Sequence, residues 1–164
     1  MNSERLKVIA SKVKKGASVI DVGTDHAYIP IYLIKNGIAK KALATDIGKM
    51  PLLRAKQNIK EYSVNVETQL AAGLEGVPAD EYDTVIIAGM GGMMIADILE
   101  KTPLDKTFIL QPMTMTHKLR RFLAGSGYVI YEETLDMEDG KLYTGLEAKK
   151  GDSEPYSEAE YYIG

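Results

Sequence analysis

Apolar and polar positions alternate in blocks along this chain, so that short apolar runs are separated by stretches with a helical repeat. Continuous apolar runs are typical of strands that are covered on both faces. Apolar residues at i, i+3, i+4 and i+7 are typical of amphipathic helices. The first such spacing comprises Leu6, Ile9, Ala10 and Val13. It predicts a helix that Ser3 caps and that Gly16 ends.

The remaining pattern predicts seven strands, at residues 17–22, 41–45, 64–70, 83–88, 107–110, 128–135 and 141–147. Helices are predicted at residues 30–35, 51–62, 93–100 and 114–124, and in the third of these the inward-facing residues are Met94, Ile95, Ile98 and Leu99. Residues 136–140 form an acidic turn between the last two strands and predict an antiparallel hairpin. The alternation predicts an α/β fold with a doubly wound, seven-stranded, mostly parallel sheet that ends in this hairpin.

Size and composition exclude several classes of protein. With 164 residues, 45% of them hydrophobic, the chain can bury one substantial core. We predict one domain over residues 1–150, followed by an acidic tail over residues 151–164. No cysteine and only two histidines are present, which argues against a metal site built on thiolates or imidazoles. There is no apolar run long enough for a membrane span and no apolar block at the amino terminus, so a cytoplasmic protein is expected.

The net charge of −3 is unevenly distributed. The acidic tail holds four acidic residues and no basic one, whereas residues 1–150 hold 20 basic and 19 acidic residues. Binding to nucleic acid would therefore depend on local patches. Two basic clusters are candidates, although solvated helix faces would look the same: Lys12, Lys14 and Lys15, and His117, Lys118, Arg120 and Arg121.

The candidate site begins in the segment VIDVGTDHAYIP, residues 19–30, where an apolar strand ends in an acidic residue and a glycine turn. In a doubly wound sheet, ligands bind beyond the carboxyl ends of the strands. Asp46 ends the second predicted strand 23 residues after Gly23. An acidic residue at about this spacing accepts hydrogen bonds from ribose hydroxyls. Alternatively, Asp46 only caps the following helix.

The first loop distinguishes between ligands. A dinucleotide-binding loop has glycines that let the backbone approach a pyrophosphate. Here Asp25 stands where the second glycine would be, and its carboxylate would repel a pyrophosphate. S-adenosylmethionine carries a sulfonium and an ammonium group but no phosphate, so the loop favours it over NAD. Asp21 would orient the loop or bind the ammonium group through water.

The blocks GTDHAYIP, DTVIIAGMGG, FILQP and DGKLY resemble those of the bacterial tRNA N1-methyltransferases that modify adenosine 22, and the resemblance covers residues 3–163. It implies a Rossmann-like class I methyltransferase domain at residues 1–150, with S-adenosylmethionine as cofactor and tRNA as partner. The implied cofactor-binding residues are Asp21, Gly23, Asp25, His26, Asp46, Ala72, Gly73, Ala88 and Gly89. The implied substrate side comprises Asp25, Tyr28, Met90, Gly91, Gly92, Gln111 and Pro112.

Two features depart from this pattern. Ala72 stands where many methyltransferases have an acid or an amide for the adenine amine, so backbone groups would serve instead. Members of the family also continue into a helical second domain that helps to hold tRNA. That domain would begin in the tail at residues 151–164, so full tRNA affinity is expected to need it.

Asp25 is the candidate catalytic residue, because a carboxylate beside adenine N1 would stabilise the cationic product. A helix-capping aspartate is the alternative. For the whole protein, the alternatives are a methyltransferase for a small molecule or a protein, a non-catalytic module that binds cofactor or RNA, and an NAD enzyme.

Overall fold

The structure is a computed structural model that describes residues 3–152 and 154–164, so Met1, Asn2 and Ser153 of the predicted ranges lie outside the described residues. The helices are α1 (Glu4–Ser11), α2 (Tyr28–Lys35), α3 (Lys49–Glu61), α4 (Gly92–Lys101), α5 (Thr116–Gly125) and α6 (Glu158–Ile163). The strands are β1 (Ala17–Val22), β2 (Ala39–Asp46), β3 (Glu67–Leu70), β4 (Thr84–Met90), β5 (Thr107–Pro112), β6 (Tyr128–Glu138) and β7 (Lys141–Lys150). None of these helices combines the length and the apolar character needed to cross a bilayer.

The seven strands form one mixed sheet in the order β3-β2-β1-β4-β5-β7-β6. Strand β2 is parallel to both β1 and β3, whereas β7 is antiparallel to both β5 and β6. The predicted Rossmann-like sheet with an antiparallel carboxyl-terminal hairpin is thereby confirmed. The chain divides into two compact units, with the boundary after Ile86.

In the first unit, residues 1–86, a core of small side chains joins β2 to helices α2 and α3. Its buried members are Ala27, Ile31, Ala42, Ala44, Ala55 and Val66. Alanines on facing elements allow helix and strand backbones to approach closely, and the larger Ile31 and Val66 fill the remaining space. This packing fixes the positions at which α2 and α3 begin, directly after the loops that follow β1 and β2.

Some predicted boundaries in the first unit were wrong. Helix α1 begins as predicted, with the Ser3 hydroxyl accepting a hydrogen bond from the Leu6 N–H at 3.3 Å, but it ends at Ser11. Gly16, with φ of +84°, follows a further turn rather than the helix itself. Strand β3 begins at Glu67 instead of residue 64, because residues 63–66 return from α3 in an irregular conformation.

In the second unit, residues 87–164, the hairpin is longer than predicted. Its turn consists of Asp139 and Gly140, which have φ values of +51° and +73°. Two consecutive left-handed residues make a tight turn whose twist matches the flanking strands, and Asp-Gly is well suited to it. Residues 136–138, assigned from sequence to the turn, therefore belong to β6.

Two further predictions in this unit were wrong. Met94 was expected to face the core, but it is 57% exposed. It lies about 100° around the helix axis from the buried Ile95, outside the stripe that packs inward. Gln111 and Pro112 were expected to close β5 as a turn, whereas both are buried inside the strand.

The predicted basic cluster on α5 is largely engaged by other parts of its own unit. Arg120 is only 4% exposed, and its guanidinium donates to both Glu133 carboxylate oxygens at 3.0 and 2.9 Å. A third bond, of 2.9 Å, goes to the Tyr161 carbonyl in α6. Arg121 pairs with Glu158. These contacts hold α6 against α5. Arg120 is therefore a structural cation, whereas the Arg121 side chain is 39% exposed in a surface ion pair.

Candidate cofactor and substrate site

The loop that follows β1 has an unusual backbone. Gly23, Asp25 and Ala27 all have positive φ, at +70°, +49° and +58°. Glycine adopts this region freely, but aspartate and especially alanine do so at a cost of about 1–3 kcal/mol each. Strained backbone of this kind clusters at functional sites, where the surrounding contacts compensate for it, although turns such as that at Asp139 also contain it.

Hydrogen bonds to neighbouring elements hold this loop in place. The Thr24 hydroxyl donates to the Asp21 carboxylate at 2.5 Å, and the Thr24 N–H donates to the Thr45 carbonyl in β2 at 2.9 Å. The Asp25 N–H donates to Asp46 Oδ2 at 3.2 Å. The loop after β1 is therefore tied directly to the end of β2, as the predicted site requires.

The side chain of Asp25 lies in a polar cluster with Arg54 and His26. Arg54 Nη2 is 2.8 Å from Asp25 Oδ1, and His26 Nε2 is 3.5 Å from Asp25 Oδ2. The His26 ring stacks on the Tyr28 ring, with a centroid distance of 5.1 Å and an interplanar angle of 7°. The carboxylate is half exposed, so it has a cationic partner and still faces solvent.

Asp21 is the buried carboxyl group of the site. Its side chain lies at the end of β1, where burial raises its pKa from the ordinary 3.8 to about 7. The Thr24 hydrogen bond opposes this increase, whereas the nearby negative charge of Asp46 adds to it. A carboxyl group with this pKa becomes ionised when a cation approaches, because an opposite charge favours the charged form.

Asp46 connects three loops. Its Oδ1 accepts from the Gly48 N–H at 2.9 Å, at the start of α3, and its Oδ2 accepts from the Asp25 N–H. Its carbonyl accepts from the Ala71 N–H at 3.0 Å, which places Ala72 and Gly73 directly after this contact. The alternative that Asp46 caps α3 is wrong, because the N-cap residue is Gly48 and Asp46 accepts from its N–H rather than from an N–H of the helix. Each carboxylate oxygen has a second acceptor site, which leaves capacity for a ribose hydroxyl.

Strand β4 continues through Gly89 and Met90, beyond its predicted end at residue 88, and α4 begins at Gly92. This junction packs on the segment after β5 within the second unit. The Met113 N–H donates to the Met90 carbonyl and the Gly92 N–H donates to the Thr114 carbonyl, both at 2.8 Å. A Cβ atom on Gly92 would lie 2.6 Å from the Met115 carbonyl oxygen. This close approach explains why Gly92 must be a glycine.

Sequence analysis missed two residues of α3 that support the first loop. Arg54 pairs with Asp25, and Asn58 Nδ2 donates to the His26 carbonyl at 2.9 Å. They are four residues apart and therefore lie on one face of the helix. The only signal in the sequence for these two residues was their i, i+4 spacing, in a helix that begins directly after a loop of the site.

The sheet order and the loops at the carboxyl ends of its strands define a Rossmann-like methyltransferase. The family model described as "Methyltransferase domain" matches residues 2–146. The chain is 37% identical to the tRNA (adenine(22)-N(1))-methyltransferase of Bacillus subtilis (strain 168) over 156 residues, covering 92% of this chain and 66% of that protein.

Two solved structures agree with this match. The B. subtilis M1A22 tRNA methyltransferase TrmK has a TM-score of 0.88 and 35% identity, with 93% of this chain and 68% of that one covered. M. capricolum TrmK, in complex with the cofactor product S-adenosylhomocysteine, has a TM-score of 0.90 and 34% identity, with coverage of 100% and 76%. This chain belongs to the TrmK-like family of tRNA (m1A22) methyltransferases. It spans about two thirds of the length of the B. subtilis relative.

A second group of relatives acts on protein. The ribosomal protein L11 methyltransferase of Exiguobacterium sp. (strain ATCC BAA-1283 / AT1b) is 31% identical over 153 residues. Those residues cover 89% of this chain but only 47% of that protein. The similarity to this group therefore extends over less of the relative's length.

Proposed function

We propose that this chain transfers the methyl group of S-adenosylmethionine to N1 of an adenosine in tRNA, at position 22. The single observation that carries the proposal is the likeness to the tRNA (m1A22) methyltransferases over nearly the whole chain. The loop after β1 supports it, because its strained conformation is braced by contacts from β2 and α3.

Three residues are assigned to the cofactor in this proposal. Asp46 accepts hydrogen bonds from the ribose hydroxyls, using the acceptor sites that Asp25 and Gly48 leave open. Asp21 binds the ammonium group through water and becomes ionised when that group binds, or it only orients the loop through Thr24. Gly23 allows the backbone turn between them. His26, Ala72, Gly73, Ala88 and Gly89 stay predicted cofactor contacts, which substitution can test individually.

The chemistry follows from the charges. Adenine N1 attacks the methyl carbon with its lone pair, the carbon–sulfur bond breaks, and its electron pair neutralises the sulfonium. The methylated base is then positively charged near neutral pH. Asp25 stabilises that charge and accepts a hydrogen bond from the exocyclic amine. Arg54 Nη2, at 2.8 Å from Asp25 Oδ1, orients the carboxylate, and Oδ2, at 3.5 Å from His26 Nε2, is the oxygen assigned to the base.

Positioning of the adenine base against the methyl group contributes much of the remaining rate enhancement. No strong base is needed at the start, because N1 carries a free lone pair. Holding N1 in line with the methyl carbon at attack distance contributes several kcal/mol. Met90, Gly91, Gly92, Gln111 and Pro112 stay predicted substrate contacts. Gln111 and Pro112 are buried in β5, so a direct contact with a base would require this region to rearrange.

Methylation of ribosomal protein L11 is the second candidate, favoured by the relatives that act on that protein. Parallel reactions with labelled S-adenosylmethionine test the two acceptors, using unmodified tRNA in one and L11 in the other. We expect label in the tRNA alone, together with salt-dependent retention of the protein on RNA. Label in L11 with none in tRNA would contradict the proposal.

Two coarser expectations accompany this function. We propose the cytoplasm as the site of the reaction, consistent with the absence of cysteines. We also propose that residues 1–150 form the cofactor-binding domain and that residues 151–164 are an acidic tail outside it. Binding of S-adenosylmethionine before and after removal of the tail tests this division.

A further inference from the structure

A groove lined by three tyrosines runs along the outer face of α2 in the first unit. Its volume is about 250 Å³, and it is lined by Tyr28, Ile31, Tyr32, Lys35, Asn36 and Tyr62. We call these six residues the tyrosine groove. Because α2 has eight residues, the groove extends about 12 Å along the helix. It begins at Tyr28, which is stacked on His26 beside the candidate catalytic loop.

Two of the three aromatic rings are exposed, each with one face against a neighbouring side chain. Tyr28 and Tyr62 are 41% and 42% exposed, whereas Ile31 is buried and forms an apolar floor. Lys35 Nζ lies over the Tyr62 ring at 5.0 Å from its centroid, which keeps a cation at the edge of the groove. The Asn36 amide donates to the Tyr32 carbonyl at 2.8 Å and is held at the far end of the groove.

The segment that carries the groove residues is basic. Between Tyr28 and Tyr62 the sequence holds seven basic and two acidic residues, although the whole chain has a net charge of −3. Two of the seven, Lys41 and Arg54, pair with Glu81 and Asp25. Exposed members of this set include Lys56 and Lys60 on α3. Aromatic rings combined with basic side chains are typical of surfaces that bind single-stranded nucleic acid, where bases stack on the rings and cations contact phosphates.

We propose that the tyrosine groove binds an unstacked nucleotide of the RNA substrate, near the adenosine that is methylated. The base lies against the tyrosine rings and the phosphate is bound by Lys35. The volume of about 250 Å³ is enough for one base, which is smaller than the drug-sized ligands whose pockets measure about 300–1,000 Å³. This inference rests on the proposed function and adds a second contact with the same RNA, outside the cofactor site.

A matched pair of residues in the other unit provides the control. Tyr131 is 44% exposed and has Lys149 Nζ over its ring at 5.2 Å. The exposure and geometry of this pair are therefore close to those of Tyr62 and Lys35, although Glu132 and Glu147 lie beside Tyr131. Differences between the two sets of variants report on location rather than on the loss of a tyrosine or a lysine.

Binding of unmodified tRNA is measured for Tyr62→Ala, Lys35→Ala, Tyr131→Ala and Lys149→Ala over a range of salt concentrations. We expect Tyr62→Ala to weaken binding about tenfold, as the loss of one stacked base does. Lys35→Ala should reduce the slope of the logarithm of the binding constant against the logarithm of the salt concentration, by the amount expected for about one phosphate contact. Both should raise KM for tRNA and change KM for S-adenosylmethionine less than twofold. The control pair should bind like the wild type.

A spectroscopic signal tests stacking directly. The chain has no tryptophan, so Tyr62→Trp and Tyr131→Trp each introduce a single reporter. We expect tRNA to quench the fluorescence of the first variant, at the midpoint found in the binding assay, and to leave that of the second unchanged. Equal quenching of both, or wild-type affinity in Tyr62→Ala and Lys35→Ala, would overturn the inference.

Methyl transfer measured on the same samples separates the two proposals. If the wild-type protein methylates tRNA and the groove variants bind it normally, the groove inference fails and the function stands. If tRNA binds through the groove but remains unmethylated, the proposed function fails and the groove inference stands. Circular dichroism melts confirm that each variant is folded.

Discussion

Replacing Asp21 with asparagine should change how the stability of the protein depends on pH. In the folded protein, burial raises the pKa of Asp21 to about 7, whereas in the unfolded chain it is near 3.8. Between these values the folded state holds a proton that the unfolded state has lost. The native protein is therefore destabilised as pH rises from about 4 to 7, and above pH 7 the full cost of the buried charge remains.

The magnitude follows from the difference in pKa. At 1.36 kcal/mol per pKa unit, the rise from 3.8 to about 7 corresponds to about 4 kcal/mol. Asparagine is nearly isosteric and its carbonyl oxygen can accept the Thr24 hydrogen bond, so the variant loses the charge and little else. We expect Asp21→Asn to match the wild type near pH 4 and to be more stable by about 2–4 kcal/mol at pH 8.

Urea denaturation at pH 4, 5, 6, 7 and 8 measures this difference. Asp97→Asn, an exposed site on α4, is the matched control and should follow the wild type at every pH. Other carboxyl groups titrate in all three proteins, so the difference between the curves isolates Asp21. A constant difference between Asp21→Asn and the wild type would refute the buried, proton-binding role of this residue.

Three further predictions concern single residues of the site. Asp25→Asn, which tolerates the left-handed backbone, should lower methyl transfer about 100- to 1,000-fold without changing the melting temperature; a near-normal rate would remove Asp25 from the chemistry. Asp46→Ala should weaken S-adenosylmethionine binding in calorimetric titration by about 1–3 kcal/mol, and an unchanged affinity would rule out the ribose contact. Gly92→Ala should lower the free energy of unfolding by about 1–3 kcal/mol, because its Cβ would meet the Met115 carbonyl at 2.6 Å. Gly125→Ala, whose Cβ meets nothing within 4 Å, is the control, and equal stability of the two variants would contradict the packing argument.

The sequence was sufficient to predict the sheet and the residues at the ends of its first strands. Strand β1 coincides with the predicted residues 17–22, because a continuous apolar run has no competing helical repeat. Asp25 and Asp46 were placed near each other from the rule that ligand-binding loops follow the strands. The hydrogen bond between the Asp25 N–H and Asp46 Oδ2 confirms that these two loops meet.

The contacts that depend on tertiary structure could not be predicted in this way. Nothing local in the sequence pairs Arg54 with Asp25, which is 29 residues away. Arg120 and Arg121 look like solvated helix residues until α6 packs on them, and Met94 fits a helical stripe whose direction only the packing of α4 decides. The periodicity of apolar residues indicates which face of a helix or strand is buried, but it does not indicate which other element packs on that face.

The most direct test of the account is to locate the transferred methyl group. Unmodified tRNA is incubated with the protein and labelled S-adenosylmethionine, the RNA is digested, and the modified nucleoside is identified and mapped by mass spectrometry. The account predicts N1-methyladenosine at position 22, and no label in a tRNA that carries guanosine there. A methyl group on another atom or at another position, or an unlabelled tRNA, would contradict it.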